Sequence, residues 1–156
     1  MCQRQEMCIS PYRNLAADSI PLRVMVSPGA SPPVVLVAED DPAIRDVLSM
    51  VLGDAGYHVV TAVDGLDALE SVRRELPAVI LADATMPRLD GAGFCRAYRA
   101  SGGTAPVILI SAGDPDVITA TVNACGAAAY IPKPFEIDAV LATVARTLDG
   151  RSKATA

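Results

Sequence analysis

The side chains best suited to chemistry in this sequence are acids, a hydroxyl and a lysine that stand just after short apolar runs. They are Glu39, Asp40 and Asp41 after the first run, Asp83 after the third, Ser111 after the fourth and Lys133 after the fifth. Carboxylate oxygens are hard ligands that suit Mg2+, and a lysine ammonium suits a phosphoryl oxygen. If the fold gathers these residues, the pattern indicates a magnesium-dependent phosphoryl site.

The apolar runs predict the strands of a parallel sheet, because they are rich in β-branched residues and alternate with amphipathic stretches. The predicted strands are Val34 to Ala38, His58 to Thr61, Val79 to Ala82, Val107 to Ile110 and Ala129 to Ile131. Right-handed crossovers favour a doubly wound α/β sheet, whose ligand crevice lies at the carboxyl ends of the strands. The acids, Ser111 and Lys133 are therefore expected to converge at one edge of the sheet.

Apolar residues at helical spacing predict a helix after each strand. The positions are Ile44, Val47, Leu48, Val51 and Leu52 in the first helix, Leu66, Leu69, Val72 and Leu76 in the second, Phe94, Ala97 and Tyr98 in the third, Val117 to Cys125 in the fourth, and Ile137, Val140, Leu141, Val144 and Leu148 in the fifth. Three aspartates precede helices as predicted N-caps: Asp41, Asp90 and Asp114. The first helix also has Pro42 in its first turn and Gly56 beyond its end.

Taken singly, the candidate residues have ordinary structural interpretations. The acids could cap helices, Asp83 could be a turn residue, and Lys133 could be solvated surface. Tyr130 could be a half-buried aromatic of an edge strand. Only the joint occurrence of the polar residues at successive strand ends favours a functional site.

The charge distribution argues against a nucleic-acid surface. The 156 residues carry a net charge of −5, and residues 34–149 hold 16 Asp and Glu against 8 Lys and Arg. Binding to phosphate backbones needs clustered Lys and Arg. Apolar runs such as Val34 to Ala38 are far too short to cross a bilayer, and the N-terminus has no secretion signal. We therefore expect a cytoplasmic protein with no direct contact to nucleic acid or membrane.

The two ends of the sequence differ from the periodic region. Residues 1–33 contain several prolines and show no periodicity, so they are predicted to form a flexible tail. Residues 150–156 are predicted to form a C-terminal tail. Met25 stands just before the periodic region and is a hypothetical natural start. The cysteines fit neither a zinc site nor a secreted disulfide framework and are expected to be reduced thiols. They are Cys2, Cys8, Cys95 and Cys125.

Four segments in order, VVLVAEDDPAIR, ILADATMPRLDG, VILISAG and AAYIPKPF, resemble the receiver domain of bacterial two-component response regulators. The resemblance covers residues 34 to about 149 and is specific, because separate motifs occur at the expected spacing. It implies a stand-alone receiver domain with the flavodoxin-like fold, in which five parallel strands in the order 2-1-3-4-5 are wrapped by five helices.

The resemblance also assigns the acids. It implies that Asp83 accepts a phosphoryl group and forms an aspartyl phosphate. Asp40 is expected to bind Mg2+ directly, together with Asp83 and the backbone carbonyl of Thr85. Glu39, one methylene longer than the aspartate common at this position, is expected to reach the ion through a water molecule. Asp41 is expected to cap a helix and not to bind the ion.

The remaining motif residues are assigned to the phosphoryl group and the switch. The resemblance implies that Ser111 and Lys133 hold the phosphoryl oxygens. Tyr130 falls where the family has its switch aromatic, so the surface of helix 4, strand 5 and helix 5 is expected to change on phosphorylation. The Lys133-Pro134 peptide bond is expected to be cis.

The implied function is signalling, with no enzymatic turnover of another substrate. The sequence has no GxxxxGK loop, and its one histidine, His58, falls away from the crevice, so the implied phosphodonor is a histidine kinase or a phosphotransfer protein. Helix 4 lacks charged residues between Val117 and Gly126, unlike that of winged-helix regulators that pair through salt bridges, so that mode of dimerisation is not expected. The sequence continues for only about seven residues after helix 5, so we expect the output to pass through a partner protein.

Three other interpretations fit the sequence less well than a receiver domain. A haloacid-dehalogenase-like phosphatase would need a DxDx[TV] motif after the first strand, which Glu39-Asp40-Asp41-Pro42 does not supply. A flavodoxin would need a Ser/Thr-rich phosphate loop there, where this chain has acids. A receiver-like interaction module that signals without phosphate is disfavoured by the complete set of acids, Ser111 and Lys133.

Overall fold

The computed structural model describes residues 28–154, and the side chains of residues 28–151. Strands and helices alternate strictly along the chain. They are β1 (Val34–Ala38), α1 (Pro42–Asp54), β2 (His58–Ala62), α2 (Gly65–Glu75), β3 (Val79–Asp83), α3 (Gly91–Ala100), β4 (Val107–Ser111), α4 (Pro115–Cys125), β5 (Ala129–Pro132) and α5 (Ile137–Ala154). Most of the predicted N-terminal tail, with Cys2, Cys8 and Met25, lies outside the described residues.

The five strands form one parallel sheet in the order β2-β1-β3-β4-β5, which confirms the predicted doubly wound fold. The direction in which strands are added reverses after β2: β2 lies on one side of β1, whereas β3, β4 and β5 follow on its other side. All five residues of β3 are buried, as expected for a strand covered on both faces by helices. The loops that follow β1 and β3 therefore open side by side at the carboxyl edge of the sheet.

Side chains alternate along the strands and fill two separate core layers. Leu36 and Ile80 point into a layer with α2, α3 and α4, where Phe94 is completely buried. Val37 and Leu81 point into the opposite layer, which is closed by α1 and α5. Strand residues form the inner side of each layer, the apolar faces of the helices cover it, and the sheet backbone separates the two layers.

Aspartate side chains fix the starts of four helices. Asp41 Oδ1 accepts hydrogen bonds from the amides of Ala43 at 2.8 Å and Ile44 at 3.2 Å, which confirms its predicted capping role. Asp90 and Asp114 cap α3 and α4 as predicted. Asp64 caps α2 in the same way, a role that the sequence pattern did not reveal. Each cap sets where the loop between strand and helix must end.

Four strands extend one residue further than predicted. β2, β3, β4 and β5 end at Ala62, Asp83, Ser111 and Pro132. The reason is that the parallel ladder continues past the apolar run, since Asp83 pairs with Ile110 and Ser111 pairs with Pro132. Asp83 and Ser111 are therefore the last residues of their strands, and the hydrogen bonds of the sheet fix their backbones.

Several helical predictions need correction. Val47 and Leu66, expected on the apolar faces of the first and second helices, are 42% and 43% exposed. Leu76 was expected on the apolar face of the second helix, but it follows α2 in a left-handed conformation and is 78% exposed. The buried face of α2 is instead formed around Ala68 and Val72. α5 continues to Ala154, so residues 150–154 are helical where a tail was predicted. Along residues 28–154, no helix combines the length and the apolar character needed to cross a bilayer.

Candidate metal and phosphoryl site

Three carboxylates meet at the carboxyl edge of the sheet. Glu39 and Asp40 follow β1 and Asp83 ends β3, and a carboxylate oxygen from each lies within 4.8 Å of those from the other two. Glu39 and Asp83 are buried, whereas Asp40 is exposed. A cluster of oxygen donors with one side open to solvent fits a hard divalent cation such as Mg2+, which keeps several waters when bound.

Lys133 brings a positive charge into this cluster. Its Nζ lies 2.8 Å from Asp83 Oδ2 and 3.4 Å from Glu39 Oε2. The lysine is carried there by β5, because its backbone N–H donates to the carbonyl of Ser111 at 2.7 Å. The Lys133-Pro134 peptide bond that follows is cis, as predicted. The edge thus holds a buried carboxylate and a cation already in contact.

The burial of Glu39 dominates the electrostatics of the site. Burial raises the pKa of Glu39 to about 7, and the neighbouring Asp83 carboxylate adds to this rise. The Asp41 amide, which donates to Glu39 Oε1 at 3.1 Å, and the Lys133 ammonium oppose it. Burial alone would lower the pKa of Lys133, but Asp83 and Glu39 outweigh it and hold that pKa above its usual value. Lys133 therefore remains cationic.

The loop after β3 lies close to Asp83. The Thr85 amide donates to Asp83 Oδ1 at 3.1 Å, which orients the carboxylate and leaves Oδ2 toward Lys133. Gly91 begins α3 so near the strand end that a Cβ at this position would collide with the Asp83 carbonyl. Thr85, the predicted carbonyl ligand, is thus held beside the acids by its own amide.

Ser111 and Tyr130 lie on the neighbouring strands. Ser111 ends β4 next to β3 and is half-buried, and its Oγ accepts from the amide of Gly113 at 3.4 Å. Tyr130 pairs with Leu109 in the ladder and packs against the core layer of α2, α3 and α4. The sheet therefore places Ser111 at the same edge as Asp83, while Tyr130 stands two residues earlier in its strand register.

Arg45 also supports the site, although the sequence pattern did not indicate this role. Arg45, in the first turn of α1, donates from Nη1 to the carbonyl of Glu39 at 2.8 Å and lies 3.5 Å from the Asp40 carbonyl. It thereby braces the backbone that carries the two acids. The available signal was its position four residues after the cap Asp41, where a long basic side chain can reach back to the preceding loop.

Other residues lie where the sequence analysis placed them. His58 is exposed and begins β2, at the opposite end of the strands from the acids. Cys95 and Cys125 are free and buried, as expected for reduced thiols. Burial, with the adjacent Cys125, raises the pKa of the Cys95 thiol to about 12, so this thiol is unreactive at neutral pH.

A family model described as a response regulator receiver domain matches residues 35–145. The chain belongs to this receiver domain family. This chain is 39% identical to the response regulator MprA of Mycobacterium leprae over 119 residues. The aligned region covers 76% of this chain and 52% of that protein. The chain spans about half the length of the curated relatives it matches.

Solved receiver structures agree with the fold. The chemotaxis protein CheY4 of Vibrio cholerae has 31% sequence identity and a TM-score of 0.71, over 74% of this chain and 98% of that one. The receiver domain of the Francisella response regulator 1452 has 31% identity and a TM-score of 0.73, over 76% and 98%. Membership of the receiver family supports phosphorylation-based two-component signalling as the class of function and disfavours the haloacid-dehalogenase-like alternative.

Proposed function

We propose that this receiver domain, within residues 34–149, accepts a phosphoryl group on Asp83 from a phosphohistidine donor and signals through the resulting change of its surface. The observation that carries the proposal is the contact of 2.8 Å between Lys133 Nζ and Asp83 Oδ2 at a buried strand end. The ammonium lies directly beside a buried carboxylate and stands where the oxygens of an incoming phosphoryl group need a cation.

The acids would hold Mg2+ beside the acceptor. Asp40 and Asp83 would bind it directly with the carbonyl of Thr85, and Glu39 would act through a water molecule. Carboxylates as close as these repel one another, so a divalent cation favours their ionised forms. When bound, Mg2+ supplies charge neutralisation to the phosphoryl group.

The chain's own residues would then position the transfer. An ionised oxygen of Asp83 attacks phosphorus, the P–N bond of the phosphohistidine breaks, and the electron pair leaves with the imidazole nitrogen. Lys133 and Ser111 hold the phosphoryl oxygens, so the loose transition state gains fixed charge and a hydrogen-bond donor. Asp83 attacks through its carboxylate, so no protein base takes part in the transfer. The domain promotes only its own phosphorylation and dephosphorylation.

The switch would use the adjacent strands. A phosphoryl group brings about −1.5 to −2 charges and three acceptor oxygens to the end of β3, so that Ser111 turns toward it. Tyr130 then fills the vacated space beside β4. This repacking would alter the surface of α4, β5 and α5, which we propose as the output surface for a downstream protein.

The partners follow from the chemistry. The donor is a histidine kinase or a histidine phosphotransfer protein. The acidic residues 34–149 do not favour direct contact with nucleic acid or membrane, so we propose a cytoplasmic domain that acts through protein contacts.

A phosphate analogue tests this proposal directly. Beryllofluoride added with Mg2+ should shift the amide NMR resonances around Asp83, Ser111 and Tyr130, and the shifts should extend along α4 and β5. Neither Mg2+ alone nor fluoride alone should produce the shifts along α4 and β5. Shifts confined to the acids, or none at all, would instead favour a module that signals without phosphate.

Mg2+ affinity should depend on pH through Glu39. Below pH 7 this side chain holds a proton in the metal-free protein, and binding of the cation must displace it. The dissociation constant for Mg2+ should therefore fall as the pH rises, by up to about tenfold between pH 6 and pH 8 for one displaced proton. Calorimetry at the two pH values measures this, and Glu39→Gln should remove most of the dependence. Equal dissociation constants for the native protein at both values would contradict it.

A further inference from the structure

The loop between β3 and α3, residues 84–90, forms an ion pair near its C-terminal end with the residue that caps α2. Arg88 Nε and Nη2 both lie 2.7 Å from Asp64 Oδ2, although the two residues are 24 positions apart. Arg88 is three residues after Thr85, whose amide binds Asp83. The same loop therefore contacts the acceptor carboxylate through Thr85 and forms an ion pair through Arg88.

Asp64 is a rigid anchor for this ion pair. Its side chain is 7% exposed, and its Oδ1 caps α2 by accepting from the amides of Leu66 at 3.0 Å and Asp67 at 2.9 Å. These backbone hydrogen bonds, opposed by burial and assisted by Arg88, hold the pKa of Asp64 below its usual value. Both carboxylate oxygens are engaged, so Asp64 fixes the guanidinium relative to a helix.

The backbone around Arg88 is left-handed and lies against the start of α2. Arg88 has φ of +64°, in the left-handed region that disfavours a non-glycine residue. The Gly65 amide donates to the Leu89 carbonyl at 3.2 Å, and a Cβ at position 65 would collide with that carbonyl. The loop is therefore in close contact with the start of α2 immediately next to the ion pair.

We propose that the Arg88-Asp64 ion pair is a positioning device that holds the Thr85 carbonyl in place for Mg2+. The inference rests on the proposed function, because it concerns the same metal site. Mg2+ requires near-ideal octahedral geometry, whereas Ca2+ accepts more variable arrangements of oxygen ligands. A loop freed at Arg88 still presents its carbonyl, but without the fixed position that the smaller ion needs.

The sign of the effect separates positioning from simple electrostatics. Arg88→Gln removes a positive charge from the loop that carries Thr85, and by Coulomb attraction alone the variant should bind Mg2+ more tightly. Loss of positioning acts in the opposite direction. Arg96→Gln is the matched control, since it removes the same charge from an exposed residue of α3.

Calorimetric titration of the full chain with Mg2+ and with Ca2+ tests the inference. Arg88→Gln should weaken Mg2+ binding about tenfold, as the loss of outer-shell partners does at other metal sites, and should weaken Ca2+ binding much less. Asp64→Asn keeps a side chain that caps α2 well and should reproduce the change. The double variant should be no weaker than either single one, because both remove the same contact.

Failure of the positioning role and failure of the proposed function would give different results. If the native protein binds Mg2+ and Arg88→Gln binds it equally or more tightly, or loses Mg2+ and Ca2+ affinity in equal proportion, the positioning role is wrong and the proposed function stands. If the native protein binds no Mg2+, the proposed function fails at its metal site and the inference fails with it. Thermal unfolding of each variant, measured without metal, confirms that the proteins compared are folded.

Discussion

Asp83→Asn should abolish the incorporation of acid-labile phosphate from a small phosphodonor while the protein remains folded. The amide has nearly the size of the carboxylate, but it carries no ionised oxygen to attack phosphorus. Asp83 also receives hydrogen bonds from Lys133 and from the Thr85 amide, so the new NH2 group must face one of two donors. We therefore expect a complete loss of phosphorylation together with a moderate loss of stability, about 1–3 kcal/mol.

Asp41→Asn is the matched control for the acceptor variant. Asp41 lies at the same edge of the sheet, but its carboxylate caps α1, and asparagine caps helices equally well. Phosphate incorporation should therefore persist in this variant. Undiminished phosphorylation of Asp83→Asn, measured by intact mass before and after acid or base treatment, would place the acceptor elsewhere.

Lys133→Ala should separate phosphorylation from the surface change. The variant retains Asp40, Asp83 and Glu39, and removal of a neighbouring cation favours the binding of Mg2+. The phosphoryl oxygens lose their fixed cation, so nothing holds them where Ser111 and Tyr130 respond. We expect Mg2+ affinity to be retained or increased, while the amide shifts of α4 and β5 on adding beryllofluoride disappear.

Arg74→Ala provides the comparison for charge alone. Arg74 is an exposed cation in the last turn of α2, which is outside the proposed output surface. Its removal should leave the response to beryllofluoride unchanged. A normal response in Lys133→Ala, with beryllofluoride bound, would show that the lysine does not transmit the signal.

Convergence of the site was predictable because it depends on topology more than on side-chain detail. Parallel strands end at the same edge, so the position of Asp83 after one apolar run and of Lys133 after another is enough to bring them together. The cap Asp41 was predictable for a related reason, since its hydrogen bonds reach only two and three residues along the chain. Local and periodic features can be read from the order of residues.

The bracing contacts of the site were not predictable in the same way. Arg88 and Asp64 belong to different loops, and nothing in either local pattern indicates that the two meet. The exposure of Leu76 depends on where α2 ends, which is set by a left-handed residue that is not glycine. The continuation of β3 through Asp83 depends on pairing with β4, so the apolar run alone predicts a strand that is too short. Each of these features requires the tertiary arrangement.

The division of the interior into two layers has a practical consequence for protein engineering. Phe94 and Leu48 lie on opposite sides of the sheet, so their side chains share no packing partners across it. Substitutions at sites that are well separated usually have additive effects on stability. Combinatorial libraries for the two layers can therefore be selected independently and their best members combined, provided that the small residues and strand ends around Asp83 are left unchanged.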